Sequence, residues 1–510
     1  MNDLSRIAVS ANGIGRIIHR VCPAQRLVGM GLLALIALLA PGSDISRPAV
    51  DAFGAEAGSI VAAQSSHIPA PFSSNETPRL REQFFATAEA NETDNHLALT
   101  DASHLVIAQS LAPNAATLPV AAAATAAPAT ASSSPTGAIR GVTDKEIRFG
   151  LVGPFTGSAR ELGRQMKLGV DTAFNQANDA GGVNGRLLRL LAGDDGYEPT
   201  RTANAVKHLV EDEQVFGFIG NVGTPTAAVA LPYVLDRHIL FFGAFSGAGL
   251  LRRDPPDRYV FNYRASYEEE TSAAVRYLVK VRRVQPRELV VFAQQDAFGD
   301  SGFAGVSKAV RALPGDNPEV VRLSYQRNSI DVTDAVQQMR RLRPHPKAVV
   351  MVATYRAAAK FIEQTRDLFP GLVYTNVSFV GSTALADELT LLGSHFATGV
   401  VVTQVVPATS SYSTVILKYK AALEKYFPGE APDYVSLEGY VEASVLIEAL
   451  RRSGPHFDTE SLVETLENMR NFDIGLGTTI GFTQSDHQGV HKIWGTAIDE
   501  NGHYKPIDMD

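Results

Sequence analysis

The residues of this chain that could do covalent chemistry do not assemble into a catalytic set. Ser246 sits in Ala244-Phe245-Ser246-Gly247-Ala248, which lacks both flanking glycines of a nucleophile elbow, so it reads as a hydroxyl in a strand-to-helix turn. His487 and His491 are four apart with Asp486 adjacent, a spacing that pairs metal ligands on a helix. Gly481, Gly489 and the alternation after His491 instead predict strand and turn, so no metal is expected there. Asp194-Asp195 closes an apolar strand and reads as a capping or solvated pair rather than as acid and base. Gly475-Leu476-Gly477 is followed by Ile480 where a dinucleotide fingerprint needs glycine, and no phosphate-loop Gly-Lys-Ser/Thr occurs. With no nucleophile, base and orienter in sight, no catalytic residue and no cofactor is expected, and binding is the favoured chemistry.

Two loops carry what binding needs. Gly220-Asn221-Val222-Gly223-Thr224-Pro225-Thr226 follows one strand and opens a helix. Phe242-Gly243-Ala244-Phe245-Ser246-Gly247-Ala248 does the same after the next strand. Small residues, hydroxyls and free backbone N–H groups at helix starts suit an anionic group such as a carboxylate.

These loops need a scaffold, and hydrophobic spacing supplies one. Ile147 to Val152 is a short apolar strand, after which Leu162, Met166, Val170, Phe174 and Ala177 recur at helical spacing. Gly181-Gly182 stops that helix, and Asn184-Gly185 marks a tight turn into Leu187 to Leu191. Further strands are expected at 215–220, 239–242, 289–293, 348–352, 377–380 and 400–405. Helices are expected at about 201–213, 226–236, 267–283, 301–313, 331–343 and 356–369. Alternating strands and helices predict an α/β fold of two Rossmann-like lobes with parallel sheets, whose ligand site lies beyond the C-terminal strand ends.

Composition narrows the class. The chain has 510 residues, 46 Lys and Arg against 54 Asp and Glu, and a net charge of −8. No basic face points to nucleic acid. The one cysteine, Cys22, excludes a disulfide scaffold and a thiolate metal site. Residues 1–40 read as a signal peptide or N-terminal anchor: Arg6, Arg16, Arg20 and Arg26 precede the uncharged run Leu27–Ala40, and Ala55-Glu56-Ala57 is a small-residue cleavage signal. That run is shorter than the roughly 20 residues of a spanning helix. Either reading places the bulk of the chain in the periplasm. Residues 41–139, rich in Ala, Pro, Ser and Thr, read as a disordered tether without apolar side chains for a core.

From residue 145 to about 500 the sequence resembles the leucine/isoleucine/valine-binding family of extracytoplasmic solute receptors, with the type I periplasmic-binding-protein fold. The blocks that carry the resemblance are Phe149–Gly157, Asn175–Gly185, Leu190–Pro199, Gly223–Thr226, Asp296–Gly302 and Tyr434–Tyr440, in that order. The resemblance implies two lobes joined by a three-segment hinge, crossing near Arg264, Pro407 and Gly481. Lobe 1 would then comprise 140–264 and 407–481, and lobe 2 would comprise 265–406 and 482–510. It also implies that the first lobe holds a ligand carboxylate through Thr224, Thr226, Ser246, Gly247 and Ala248.

One departure bears on the ligand. Amino-acid binders of the family place an acidic residue of the second lobe against the ligand ammonium, whereas the comparable stretch here is Gly381-Ser382-Thr383. Ser382 and Thr383 offer hydroxyls, and Glu268 and Asp296 are the substitutes for the missing acid. Tyr267, Phe298 and Tyr355 are the expected aromatic walls. The expectation is a monomeric receptor that closes on a branched-chain amino acid-like, carboxylate or amide ligand and delivers it to the permease of an ABC importer. The alternative is a sensing module that presents its bound form to a membrane receptor or kinase.

Overall fold

Ile147 to Val152, predicted as a strand, lies in the middle of one. The computed structural model describes residues 139–315 and 318–510; the expected signal and nearly all of the expected tether fall outside them. Strands β1 (Glu146–Gly153), β2 (Leu187–Asp194), β3 (Gly217–Ile219), β4 (Leu240–Phe242) and β5 (Val260–Phe261) form a parallel sheet in the order β2-β1-β3-β4-β5. Helices α1 (Arg160–Asp179), α2 (Pro199–Glu211) and α3 (Thr224–Asp236) link successive strands. The apolar row Leu162, Met166, Val170, Phe174 and Ala177 on α1 is buried throughout. Asn184 and Gly185 both take positive φ, 50° and 81°, in the tight turn their pairing announces.

The second sheet contains β6 (Leu289–Gln294), β7 (Val321–Tyr325), β8 (Ala348–Val352), β9 (Val373–Asn376), β10 (Val401–Gln404), β11 (Trp494–Ile498) and β12 (Tyr504–Ile507). Its order is β12-β11-β10-β9-β8-β6-β7, parallel except for β11 and β12, which run antiparallel to their neighbours. With it go α4 (Tyr267–Arg276), α5 (Ala297–Arg311), α6 (Thr333–Arg341), α7 (Tyr355–Thr365), α8 (Ser382–Leu392) and the short α9 (Ser394–Ala397). Helices α10 (Thr414–Tyr426), α11 (Tyr434–Ser453) and α12 (Thr459–Glu467) return to the first sheet, where α11 lies against α1.

Two expectations need correction. The strand expected at 377–380 sits earlier, at Val373–Asn376, and Ser378–Val380 is a 3-10 turn ended by left-handed Gly381. Its apolar side chains serve the space between the sheets instead of a ladder. The third crossing, expected near Gly481, lies between Val490 and Trp494. Phe482 still packs on Phe242 and Phe261, and the Asn262 amide donates to the His487 carbonyl at 2.8 Å. The other two crossings run through residues 262–266 and 405–413.

His487 stacks on Phe261 with centroids 3.9 Å apart, and its Nδ1 lies 2.9 Å from the Val260 carbonyl. His491 pairs with Glu269 and Asp486 on the outside. Among the described residues no group of His, Cys, Asp and Glu is arranged to hold a metal ion, and no helix is long and apolar enough to cross a membrane.

Candidate functional site: the space between the two sheets

The two loops of small and hydroxyl residues meet. The Gly223 amide donates to the Phe245 carbonyl at 3.2 Å, and the Phe245 amide donates to the Asn221 carbonyl at 2.9 Å. This pairing sets the Thr224 and Ser246 hydroxyls 2.7 Å apart, both fully buried. Thr224 is the first residue of α3, whose leading amides have no intrahelical acceptor. Gly223 makes the approach possible: its φ is 107°, and a Cβ there would stand 2.3 Å from the Tyr197 ring. The Ala248 amide donates to Ser246 Oγ at 3.3 Å. Thr226 joins the cluster in space, but its hydroxyl is spent on the Val222 carbonyl one turn back.

The second lobe closes over these groups. The Tyr267 amide donates to the Gly247 carbonyl at 2.7 Å, and a Cβ on Gly247 would lie 2.6 Å from Tyr267. The Tyr267 phenol is buried beside Ser246 and the Gly247 backbone, and burial pushes its pKa up to about 12. Phe298 lies 5.3 Å from the Tyr267 ring. At the centre stands Phe379, with ring centroids 4.6 Å from Phe298, 5.0 Å from Phe245, 6.1 Å from Tyr197 and 6.4 Å from Tyr267. Of these five rings only Tyr267 and Phe298 were expected from the sequence. Phe245 stood inside a loop singled out for its small neighbours. Phe379 was concealed in a run that reads as a strand, and Tyr197 in a Gly-Tyr turn with φ of 63°.

The remaining candidates lie apart. Tyr355 and Thr383 line a cavity of about 220 Å³ between the start of α1, at Arg160, Glu161 and Arg164, and the starts of α7 and α8. Buried Asp433 shares that cavity and caps α11 through the amides of Val435 and Ser436. Ser382 is engaged elsewhere: its hydroxyl accepts from Gln404 at 2.9 Å and its carbonyl from the Tyr504 phenol at 2.9 Å. Neither substitute acid is free. Glu268 is exposed and paired with Lys308, while Asp296 caps α5 and meets Arg327 at 3.2 Å.

A buried acid does approach the rings, and it is Glu270 rather than Glu268. Glu270 accepts from Arg264 at 3.0 Å, from the Ser378 amide at 2.7 Å and from Thr403 at 2.6 Å, so its lone pairs are occupied. The fully buried Arg264 guanidinium lies 4.9 Å from the Phe245 ring and 3.4 Å from Glu438 on α11. It therefore links the first crossing to both lobes. Arg252 runs beside it, donating to the Ser246 and Ala248 carbonyls at 3.1 Å each, to the Arg264 carbonyl at 2.9 Å and to Gln488 at 2.6 Å. The Asp194-Asp195 pair is structural. Asp194 accepts from the Phe155 and Thr156 amides, and Asp195 from the Tyr197 amide and the Thr202 hydroxyl.

Comparison with known proteins agrees with this architecture. A family model described as periplasmic binding protein matches residues 146–503. Leu/Ile/Val-binding protein BraC3 of Rhizobium johnstonii is 25% identical over 342 residues, covering 65% of this chain and 86% of its own. An amino acid binding protein of Pseudomonas aeruginosa is 22% identical over 378 residues, covering 71% and 92%. The crystal structure of a possible leucine/isoleucine/valine-binding protein from Rhodopirellula baltica superposes with a TM-score of 0.68 at 35% identity, covering 74% of this chain and 99% of that one. Two α/β lobes, three crossings and a family match over most of its length place the chain in the periplasmic binding protein family, with the type I fold.

Proposed function

We propose that this chain is the receptor of an ABC-type importer, working as a monomer outside the cytoplasmic membrane and handing a small organic carboxylate to a membrane permease. The first 40 residues serve export and residues 41–139 tether the receptor. The observation that carries the reading is the Thr224–Ser246 hydroxyl pair, 2.7 Å apart at the start of α3 beneath rings from both lobes. Hydroxyls and helix amides suit a carboxylate, and the buried Tyr267 phenol stands beside them. The five rings suit an apolar or aromatic body. A ligand touching both lobes favours the closed arrangement by as much as it binds that arrangement better than the open one.

The same geometry argues against an ammonium on the ligand. Glu270 is saturated by Arg264, Ser378 and Thr403, and Ser382 and Thr383 bring no charge. An ammonium held away from water without a counter-charge is costly. The relatives named for leucine, isoleucine and valine support a small carboxylate with an apolar body; the local chemistry narrows it to one without the amino group. Calorimetry with matched pairs tests this: L-leucine against 4-methylpentanoate, and L-phenylalanine against 3-phenylpropanoate. The desamino partner is expected to bind as well or better. An amino acid that binds tenfold more tightly, about 1.4 kcal/mol, overturns the ligand class. No binding by any carboxylate in a broad panel overturns the receptor reading.

A further inference from the structure

Away from the rings, the two lobes touch again through a polar strap. After β2, Gly196 and Tyr197 take positive φ of 55° and 63°, and the next residue is Glu198. After β7, Arg327 is followed by Asn328 with φ of 61°. The Asn328 amide group donates to Glu198 Oε1 at 2.6 Å and to the Gly196 carbonyl at 3.1 Å. Arg327 donates to Glu198 Oε2 at 3.0 Å. The Ser158 hydroxyl, at the start of α1, donates to Asn328 Oδ1 at 3.1 Å. One residue pair of the second lobe thus holds three residues of the first.

Both halves of the strap are held by their own lobe. Asp194 accepts from the Gly196 amide at 3.1 Å and fixes the turn that presents Glu198. Asp296 meets Arg327 at 3.2 Å and also accepts from Gln294 at 2.7 Å. Gln294 in turn reaches the Tyr197 phenol at 3.4 Å, so the strap is continuous with the ring cluster. A left-handed backbone at a non-glycine residue is uncommon, and asparagine adopts it more readily than most. Here that conformation delivers both ends of the Asn328 amide across the gap. Groups that need no rearrangement to meet lose little freedom when they do.

We propose that Arg327 and Asn328, gripping Ser158, Gly196 and Glu198, form a latch that closes the cleft without ligand, so that a closed population exists in the empty protein. The inference rests on the reading that ligands bind between the lobes, but it assigns residues that touch no ligand. The latch would set affinity through the closed-to-open ratio: weakening it lowers affinity for every ligand alike and leaves the order of preference unchanged.

The test needs no ligand, so its failure is separate from any failure of the ligand assignment. In the full chain carrying Cys22→Ser, spin labels at Asn204→Cys on α2 and Gln338→Cys on α6, both exposed, report the interlobe distance by double electron–electron resonance. The protein is unfolded in guanidinium and refolded first, which strips any ligand carried through purification. A short-distance population is expected, and the closed-to-open ratio is expected to fall at least tenfold in Asn328→Gly combined with Glu198→Ala. Asn328→Gly keeps the left-handed backbone accessible, so loss of the side chain is read without backbone strain. Circular dichroism confirms that each variant is folded. A wholly open stripped protein, or a variant ratio equal to the parent's, overturns the latch.

Discussion

Neither oxygen of the Glu442 carboxyl makes a hydrogen bond, although the group is fully buried and a Cβ on Gly243 would stand 2.8 Å from it. Around it lie Arg252, Arg264 and Glu438, and Arg264 also pairs with Glu270 at 3.0 Å. Burial first, and then the neighbouring Glu438 charge, push Glu442 well above its ordinary 4.5; burial also lifts Glu438 to about 7. Between about pH 4.5 and 7 the folded state therefore binds more protons than the unfolded chain, and stability falls as pH rises, by roughly 1.4 kcal/mol per unit for each proton the fold alone retains. Acids held low act in the opposite sense at lower pH. Burial raises Glu269, but hydrogen bonds from His491 and Ser266 pull it down to about 2, and its contribution is lost as pH falls from about 4.5 through 2. Urea titrations from pH 5 to 7 should show a shallower slope for Glu442→Gln than for the parent; an unchanged slope would place the proton elsewhere. The hydroxyl pair makes a second prediction. Hydrogen bonds to a charged group contribute about 1.5–3 kcal/mol, so Thr224→Val or Ser246→Ala should weaken binding of the best carboxylate about ten- to a hundredfold in calorimetry, with the fold intact by circular dichroism. Full affinity in both variants would move the anion site. That the two loops would meet could be anticipated from sequence, because they follow consecutive strands of one alternating α/β run. Glu270 could not, because an acid in a helix's first turn looks the same whether exposed or buried.

At the scale of elements, a strand was legible where it is an unbroken apolar run. Ala348–Val352 is apolar at every position and buried at every position, and it is the strand its composition predicts. β7 and β12 sit at sheet edges, half exposed, and leave no apolar run to find. The error at 377–380 has the same root: Val-Ser-Phe-Val is apolar because Phe379 faces other rings, and burial alone does not distinguish a ladder from a cleft. The contact between α1 and α11 makes its own prediction. A Cβ on Gly169 would stand 1.9 Å from the Ser436 carbonyl, and one on Gly439 would stand 2.6 Å from the Met166 carbonyl. Backbone cannot yield as a side-chain end can. Gly169→Ala should therefore destabilise by about 3 kcal/mol, the upper end for overpacking, despite alanine's better helix propensity. Urea denaturation measures it, and a neutral or stabilising result would mean the helices cross farther apart than described.

For the molecule as a whole, the two sheets and their three crossings could be anticipated, and the point of the last crossing could not. Just past β5 the Asn262 amide donates to the His487 carbonyl and its carbonyl accepts from the Gly489 amide, a pairing made by backbone groups that any sequence supplies. That pairing delays the last passage and leaves only β11 and β12 after it. The second sheet is thus begun at residue 289 and completed at residue 507, with an excursion to the first lobe in between. A chain emerging from its amino end must hold the β10 edge uncovered while α10, α11 and α12 are still being made. Pairings so distant in sequence form slowly. The last two strands therefore complete the second sheet only after every other element of both lobes has been made. A chain stopped after Ile493 isolates that moment. It should refold both helical layers, expose the Val401–Gln404 edge and aggregate during refolding by light scattering, whereas the chain ending at Asp510 stays clear. Equal clarity would mean that the last two strands are ornaments on a sheet already complete.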